Sequence, residues 1–233
     1  MTLAKLASFV HKWLALIVAI QVLFWIGSGL FFTLYPIEQV RSEHFIRHGD
    51  PQELNVANFG VLAQIRGPAG EAPSKLTIES RSTGQVIIAE FVEADPVLFD
   101  AATMQALSPL SPEAAAGIAS AHVTLMSAPY EITRVVEASP EYRGVLPAYR
   151  VQFEESGLAV YVAENTGAVT ARRSDLWRFY DFLWALHIMD WQNHEDFNHP
   201  LLIATSALTL ISVIAGIILL PFRIRARRRT APD

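Results

Sequence analysis

Cysteine is absent from the 233 residues of the chain. The protein therefore forms no disulfide, offers no thiolate to a metal ion and has no cysteine nucleophile. The sequence also lacks a recognisable nucleophile–base pair, a nucleotide-binding loop and a metalloprotease motif. These absences argue against a self-contained hydrolase.

Charge is missing from two long stretches, residues 13–35 and Pro200–Phe222. Each stretch would be about 34 Å long as a helix, and the hydrocarbon core of a bilayer is about 30 Å thick. Two transmembrane helices are therefore predicted. The first has a longer apolar core than a secretory signal and no small-x-small cleavage site, which favours an uncleaved anchor.

The charges that are present divide the chain by sign. The first twelve residues and the tail after Phe222 together hold seven basic residues and one acidic residue, whereas the stretch between holds eleven basic and 22 acidic residues. Basic residues close to membrane spans stay in the cytoplasm. We therefore expect a bacterial inner-membrane protein with both termini cytoplasmic and residues 36–199 periplasmic. The basic tail is interpreted as a topology determinant rather than a nucleic-acid patch, so no nucleic-acid partner is expected.

The segment between the spans predicts an α+β extracytoplasmic domain in which one helix followed by an antiparallel meander occurs twice. In the second copy, Ser111-Pro112-Glu113 begins a helix over residues 114–123. Serine caps free amides, proline fits the first helical position, and glutamate favours the positive end of the helix dipole. The turn Asn165-Thr166-Gly167 separates the last two strands. The predicted strands of this copy are 130–138, 148–154, 158–162 and 168–171.

The first copy repeats this order, with a helix at 56–65 and strands at 76–80, 86–91 and 97–100. In each copy, one face of the sheet can bury against the helix while the other faces water or the second copy. The predicted division of the chain is 1–35 for the N-terminus and first span, 36–54 for a linker, 55–110 and 111–173 for the two copies, 174–199 for an aromatic interfacial helix, 200–222 for the second span and 223–233 for a basic cytoplasmic tail.

The stretch 174–199 is rich in aromatic residues. Ser174 is placed to cap a helix with Asp175 in its first turn. Six tryptophan, tyrosine and phenylalanine residues follow between Trp177 and Trp191, directly before the second span. Such rings prefer the headgroup level of a bilayer, so the stretch predicts a helix lying at the membrane surface, packed against lipid.

Histidine and acidic residues in the same stretch are the candidate metal ligands: His187, Asp190, His194 and His199. In one unbroken helix, His187 and His194 would stand about 10.5 Å apart along the axis, too far to share an ion without a bend or a second protomer. Asp190 is the better local partner of His187, because a carboxylate can orient a ligand imidazole. Elsewhere, His44 and His48 have a chelating spacing only if their stretch is helical, and His122 is interpreted as an ordinary surface histidine or one in the last turn of its helix.

Two segments resemble the strand, Asp-x-x-Thr-Gly, strand turn of PepSY domains. The first, residues 97–104, keeps Asp100 but has Met104 in the place of glycine. The second, residues 160–167, keeps Gly167 but has Ala163 in the place of aspartate.

The spans carry a second resemblance. Val10-His11-Lys12-Trp13-Leu14-Ala15-Leu16 resembles the His-Arg-Trp-Leu-Gly-Leu opening of the PepSY-associated transmembrane family. Tyr180-Asp181-Phe182-Leu183-Trp184-Ala185-Leu186-His187 is similar to the Tyr-Asp-x-Leu-x-x-Leu-His stretch before a later span of that family. Together the four segments cover most of the chain in the family's order.

The resemblance implies haem b as a cofactor and His11 and His187 as its candidate ligands. Placed at opposite ends of the spans, these two histidines would lie on the order of 34 Å apart and could not share a haem. A haem at the level of His11 would then need a homodimer or a membrane partner protein. Gly27-Ser28-Gly29 favours such close helix contact.

The implied function is an accessory or haem-linked electron-transfer component in iron, siderophore or other metal acquisition. Whether the chain is an enzyme is left open, and if it is one, it would be a component of a membrane reductase. Two alternatives remain: a periplasmic binding module that restrains a peptidase, because PepSY domains resemble parts of protease propeptides, or a structural subunit of a larger membrane complex.

Overall fold

The computed structural model describes residues 2–47, 59–81 and 83–229. The chain divides into two compact units. The helical unit comprises Met1–Pro36 and Phe179–Asp233, and the mixed unit is Ile37–Arg178. The mixed unit combines helices with two antiparallel sheets. The architecture is thus mixed helix and antiparallel sheet, with one long apolar helix near each end of the chain.

The helical unit is built on two long helices, α1 (Leu3–Leu34) and α6 (Pro200–Arg229). Both are long and apolar enough to cross a membrane, with mean hydropathies of 2.2 over Leu3–Leu34 and 2.4 over Pro200–Phe222. The first apolar run thus belongs to a helix that begins ten residues before it. This helix ends at Leu34 because the residue before a proline is driven into extended backbone, as Tyr35 is before Pro36.

A third helix, α5 (Asp175–Ile188), begins in the mixed unit and ends in the helical unit. Its start is as predicted, since Trp177 N donates to Ser174 Oγ at 3.3 Å. Its end is not, because the prediction of one helix over 174–199 fails beyond Ile188. The φ angle of Met189 is +60°, in the left-handed region, and residues 190–199 form a loop.

The first sheet of the mixed unit has three strands in the order β1-β2-β3. The strands are β1 (Lys75–Arg81), β2 (Gly84–Glu90) and β3 (Val97–Asp100). All neighbours are antiparallel. Of the helix predicted at 56–65, the described part shows α3 (Phe59–Leu62), and residues 56–58 lie outside the described residues.

The second sheet has four strands in the order β4-β5-β6-β7, again all antiparallel. The strands are β4 (Glu131–Val135), β5 (Ala148–Gln152), β6 (Ala159–Ala163) and β7 (Val169–Arg173). The helix before them, α4 (Pro112–His122), begins as the sequence predicts: Ser111 Oγ accepts Ala114 N at 3.2 Å.

The main core of the mixed unit joins both sheets. One buried cluster takes Leu98 from the first sheet, Ala115 and Ala119 from α4, and Val151 and Val160 from the second sheet. The opposite faces of the two sheets belong to separate buried clusters. Alternation of side chains along each strand makes this possible, because successive residues point to opposite faces.

The stretch predicted as a linker, 36–54, is a packed part of the mixed unit over residues 37–47. It contains α2 (Ile37–Val40) and a 3-10 turn at Glu43–Phe45. Val40 is 1% exposed, and Ile46 forms a β-bridge with Val123. His44 lies in the turn, with its ring 4.0 Å from that of Phe45, whereas His48 lies outside the described residues.

The two turns that carry the PepSY resemblance, 100–105 and 163–168, have the same backbone hydrogen bonds. In each, the N–H of the first residue donates to the carbonyl of the sixth at 2.9 Å, and the N–H of the fifth donates to the carbonyl of the first at 2.8 Å. The fifth residues, Met104 and Gly167, have φ angles of +60° and +63°. Because backbone groups close both turns, each turn keeps this shape although its sequence departs from the Asp-x-x-Thr-Gly pattern at one position.

Candidate functional site

The candidate site residues of the helical unit are organised by one side of α1. His11, Gln21, Trp25 and Ser28 are separated by ten, four and three residues, which places them on a common face of a helix. Each of these side chains bonds to α5 or α6. We call these four residues the polar face of α1.

His11 is held against the backbone of α6. Its Nδ1 lies 2.8 Å from the carbonyl oxygen of Ser212, and because a carbonyl only accepts, Nδ1 carries the proton. A Cβ on Gly216 would stand 3.0 Å from the imidazole Cε1. Glycine at this position therefore leaves the space that the imidazole occupies.

His11 contacts the middle of the apolar part of α6. It was predicted at the inner end of the first span, but its partner Ser212 lies ten residues before Phe222. That distance corresponds to about 15 Å of helix. An ionisable side chain that contacts the middle of a long apolar helix is a candidate functional residue.

His187, near the end of α5, is bound to the other end of the polar face. Its Nδ1 lies 2.7 Å from Ser28 Oγ. The Ser28 hydroxyl donates to the carbonyl of Phe24 at 2.5 Å, so Ser28 accepts from His187 and Nδ1 again carries the proton. Trp25 Nε1 donates to the His187 carbonyl at 2.6 Å, which fixes the backbone on which the imidazole stands.

Aromatic rings surround the His187 imidazole. The Trp184 ring lies parallel to it, with an interplanar angle of 1° and a centroid distance of 6.2 Å. The Phe32 ring centroid is 5.7 Å away. Gln21 Nε2 donates to the neighbouring Leu186 carbonyl at 2.9 Å. The residues next to His187 therefore supply an apolar, ring-lined environment.

His11 and His187 share one chemical feature. In each, Nδ1 is bonded to an acceptor, and Nε2 has no hydrogen-bond partner among the described residues. A neutral imidazole in this tautomer presents the Nε2 lone pair to a metal or to a proton. The α1 residues at the two sites, His11 and Ser28, are 17 positions apart, or about 26 Å along the helix, which is too far for both histidines to ligate one metal ion.

Asp190 organises the loop after α5 rather than His187. Its Oδ2 accepts the N–H groups of Glu195 and Asp196 at 3.0 and 3.1 Å, and its Oδ1 accepts those of Gln192 and Asn193 at 3.2 and 3.1 Å. The amides of Asp196 and Glu195 are the largest influences that hold the pKa of this carboxyl well below its usual range. Asp190 is thus an ionised acceptor for four amides.

The other two metal candidates are bonded elsewhere in the helical unit. His194 Nδ1 lies 2.6 Å from Asp181 Oδ2, and both side chains are 18% exposed. His199 Nε2 donates to the carbonyl of Ile188 at 2.9 Å. Over the described ranges, no group of three or more histidine, aspartate or glutamate side chains is placed to hold a metal ion.

Sequence reasoning missed the partners of the histidines. Ser28 was named only as part of a small-residue motif and Asp181 only as part of the family resemblance, and Ser212 was not named. The available signal was the presence of serine within otherwise apolar runs, since a polar group in such a helix needs a partner. His122 lies in the last turn of α4, one of the two predicted positions, but it is half-buried beside Arg172, and burial and then this guanidinium lower its pKa.

No protein-family model, curated protein or solved structure matches this chain. The resemblance to PepSY proteins is therefore carried by the residues quoted above alone.

Proposed function

We propose that the chain is a bacterial inner-membrane protein of the PepSY type, an accessory or haem-linked electron-transfer component in the acquisition of iron, siderophores or other metals. Both termini are cytoplasmic in this proposal, and residues 36–199 are periplasmic. The two apolar helices and the basic residues at both ends of the chain support the membrane topology.

The topology has a direct test. A reporter fused after Asp233 should be active only in a form that works in the cytoplasm, and one inserted beside Gly70 only in a form that works in the periplasm. Gly70 suits the insertion because it lies in an exposed turn. Cytoplasmic activity at Gly70 would contradict the proposed orientation.

The haem hypothesis rests on how the two histidines of the helical unit, His11 and His187, are hydrogen-bonded. A histidine that ligates haem iron uses one ring nitrogen and donates the other N–H to a protein acceptor. His11 and His187 each have the donated bond and a remaining Nε2 lone pair. These residues fit axial ligation, and haem bound there would supply one-electron redox chemistry.

The second ligand must come from outside each site. His11 and Ser28, the residue that bonds to His187, lie about 26 Å apart along α1, and a bis-histidine haem needs two imidazoles on one iron. We therefore propose that a second copy of the chain or a membrane partner completes each site. Trp25 and Ser28 orient His187, and the Ser212 carbonyl orients His11.

A visible absorption spectrum of the detergent-purified protein tests this function. A stoichiometric Soret band should be present in the wild type, should lose one component in His11→Ala and a different one in His187→Ala. His44→Ala is the matched control, because His44 is exposed and lies in the mixed unit. A band that survives both of the first two substitutions would overturn the ligand assignment, and a flat spectrum would favour a peptidase-binding or structural role.

A further inference from the structure

An arginine fixes His122 as a hydrogen-bond acceptor. His122 is the last residue of α4, and its Nε2 lies 3.1 Å from Nη1 of Arg172 on β7. Because a guanidinium can only donate, Nε2 must accept, and the imidazole is neutral. Both side chains are partly buried. Protonation of Nε2 would remove the acceptor and place two cations in contact.

The charges around this pair favour the neutral imidazole. Burial and then Arg172 lower the pKa of His122 below its ordinary value of 6.5. Arg47 brings a second guanidinium close by, since its Nη2 donates to the carbonyl of the next residue, Val123, at 3.1 Å. Burial also lowers the pKa of Arg172, and the acidic group at the site, Glu43, opposes this.

The same end of α4 holds residues 37–47, which we call the N-terminal segment of the mixed unit. Arg47 N donates to the His122 carbonyl at 2.8 Å, and Thr124 N donates to the Phe45 carbonyl at 2.8 Å. The N-terminal segment is thus attached by backbone bonds to the very residue that would take up the proton and to its neighbours.

The N-terminal segment is also the least firmly held element at this site. Ser42 has a φ angle of +59°, in the left-handed region that disfavours side chains, and its Oγ is buried with no hydrogen-bond partner among the described residues. By contrast, β7 is paired with β6, and Ala115 and Ala119 anchor α4 in the main core. We therefore expect the segment to yield before the sheet or the helix does.

We propose that protonation of His122 releases the N-terminal segment of the mixed unit, which is closed at neutral pH and open in acid. An imidazolium and a guanidinium in contact repel each other, so the end of α4 moves to separate them. This movement displaces the His122 carbonyl that holds Arg47 N. Opening exposes Val40 and Ser42, which are 1% and 0% exposed in the closed form.

The direction of the pH dependence follows from proton binding. The closed form keeps His122 neutral and so binds fewer protons than the open form, in which the imidazole regains its ordinary pKa of 6.5. The closed form is therefore stable above this pH and loses stability as the pH falls toward the lowered pKa. Within that window the ratio of open to closed protein rises by up to about tenfold per pH unit.

This switch lies in the mixed unit and goes beyond the proposed function. It requires neither haem nor a particular orientation in a membrane, although the proposed topology would expose it to the pH of the periplasm. Its test is therefore independent of the absorption spectrum: opening in acid without a Soret band would retain this inference and reject the haem.

Hydrogen exchange of the full-length protein in detergent tests the switch. At pH 5, residues 40–47 should exchange about threefold or more faster in the wild type than in His122→Gln, whose neutral amide accepts from Arg172 but takes up no proton. At pH 7 the two proteins should exchange these residues at similar rates. Residues 159–163 form the central strand β6 and should not differ.

His44→Gln is the matched control, because His44 lies in the same segment but is exposed. It should keep the wild-type acceleration at pH 5. Equal exchange of residues 40–47 in the wild type and His122→Gln at pH 5 would overturn the inference, as would loss of the acceleration in His44→Gln. The same acceleration in residues 159–163 would show that acid opens the whole unit and would also overturn it.

The absence of cysteine from the chain allows a second readout. Ser42→Cys introduces one thiol at a position that is buried in the closed form. Its labelling by 4,4′-dithiodipyridine, relative to that of Val92→Cys, should rise about threefold or more from pH 7 to pH 5. Val92 is 84% exposed and reports the effect of pH on the reagent. A constant ratio, or an equal rise when His122→Gln is added, would overturn the inference.

Discussion

Gly167 is the position in the mixed unit where the addition of a Cβ atom should destabilise the fold most clearly. Its φ angle is +63°, and a Cβ there would lie 2.9 Å from Arg81 Nη1 and 3.2 Å from the ends of Ile118 and Leu98. The left-handed conformation alone costs about 1–2 kcal/mol for a side chain. We expect Gly167→Ala to lower the free energy of unfolding by at least that amount, as measured by urea denaturation of the full chain in detergent.

Gly117 provides the matched control. It lies inside α4, and a Cβ there would meet nothing within 4 Å. Because alanine is the better helix former, Gly117→Ala should raise the free energy of unfolding by up to about 1 kcal/mol. Equal destabilisation by the two substitutions would contradict the role assigned to the turn.

The hydrogen bonds of single side chains were predictable from the sequence where both partners are close together in the chain. Ser111 and Ser174 cap helices three residues ahead of them, and that chemistry is local. The bond between Ser28 and His187 joins residues 159 positions apart. No local pattern contains it, because it exists only once α1 and α5 are packed together.

The loop between β4 and β5 is tied down by one carboxylate. Glu141 Oε1 lies 2.8 Å from Arg178 Nη2 and 3.7 Å from Arg150 Nε, and it accepts the Tyr161 hydroxyl at 3.1 Å. Burial raises the pKa of Glu141, but Arg178 and Arg150 together lower it by more than burial raises it. The pKa therefore lies below its ordinary value. The ionised carboxylate therefore stabilises the fold at pH values above the ordinary pKa of glutamate. This stabilisation is lost as the pH falls and the carboxylate is protonated.

We expect Glu141→Gln to lower the free energy of unfolding by about 1–2 kcal/mol at pH 7, because the bonds are charged but partly screened by solvent. The difference from the wild type should shrink on going from pH 7 to below pH 4, where the wild-type carboxylate is increasingly protonated. Urea midpoints at both pH values measure it. Glu154→Gln is the control, since Glu154 is exposed, and a difference that grows at low pH would refute the ionic role.

Elements were predictable where side-chain periodicity is strong. The strands and α4 lie within a few residues of their predicted positions, because alternation and capping are visible in the sequence. The end of α5 was not predictable. After Ile188, four amides of the following loop donate to the Asp190 carboxylate instead of forming helical hydrogen bonds. The packing of residues 37–47 was missed because the stretch is mostly polar, and its anchor Val40 has no periodic neighbours.

The mixed unit as a whole should fold without the long helices. A fragment of residues 37–178 keeps α2, the buried Val40 and the Arg178–Glu141 ion pair. We expect it to be soluble and to unfold cooperatively, as a domain of this size can bury an adequate core. The shorter fragment 52–173 loses all three features and should unfold at a lower urea concentration.

Circular dichroism during urea titration of both fragments measures this difference. The same midpoint for both would mean that residues 37–51 and the start of α5 add no stability. Failure of the 37–178 fragment to fold would show that the mixed unit depends on the rest of the chain.

The polar face of α1 also has a consequence for how freely the helix can vary. Each of its four side chains makes a hydrogen bond within the helical unit, while residues such as Ile17, Ile20 and Leu23 are 67–69% exposed. Saturation mutagenesis should therefore find the exposed positions interchangeable among aliphatic and aromatic residues. Positions 11, 21, 25 and 28 should accept few replacements. Positions that accept few substitutions would then recur about every three to four residues along α1. Their pattern among functional variants would show which side of α1 faces its own chain.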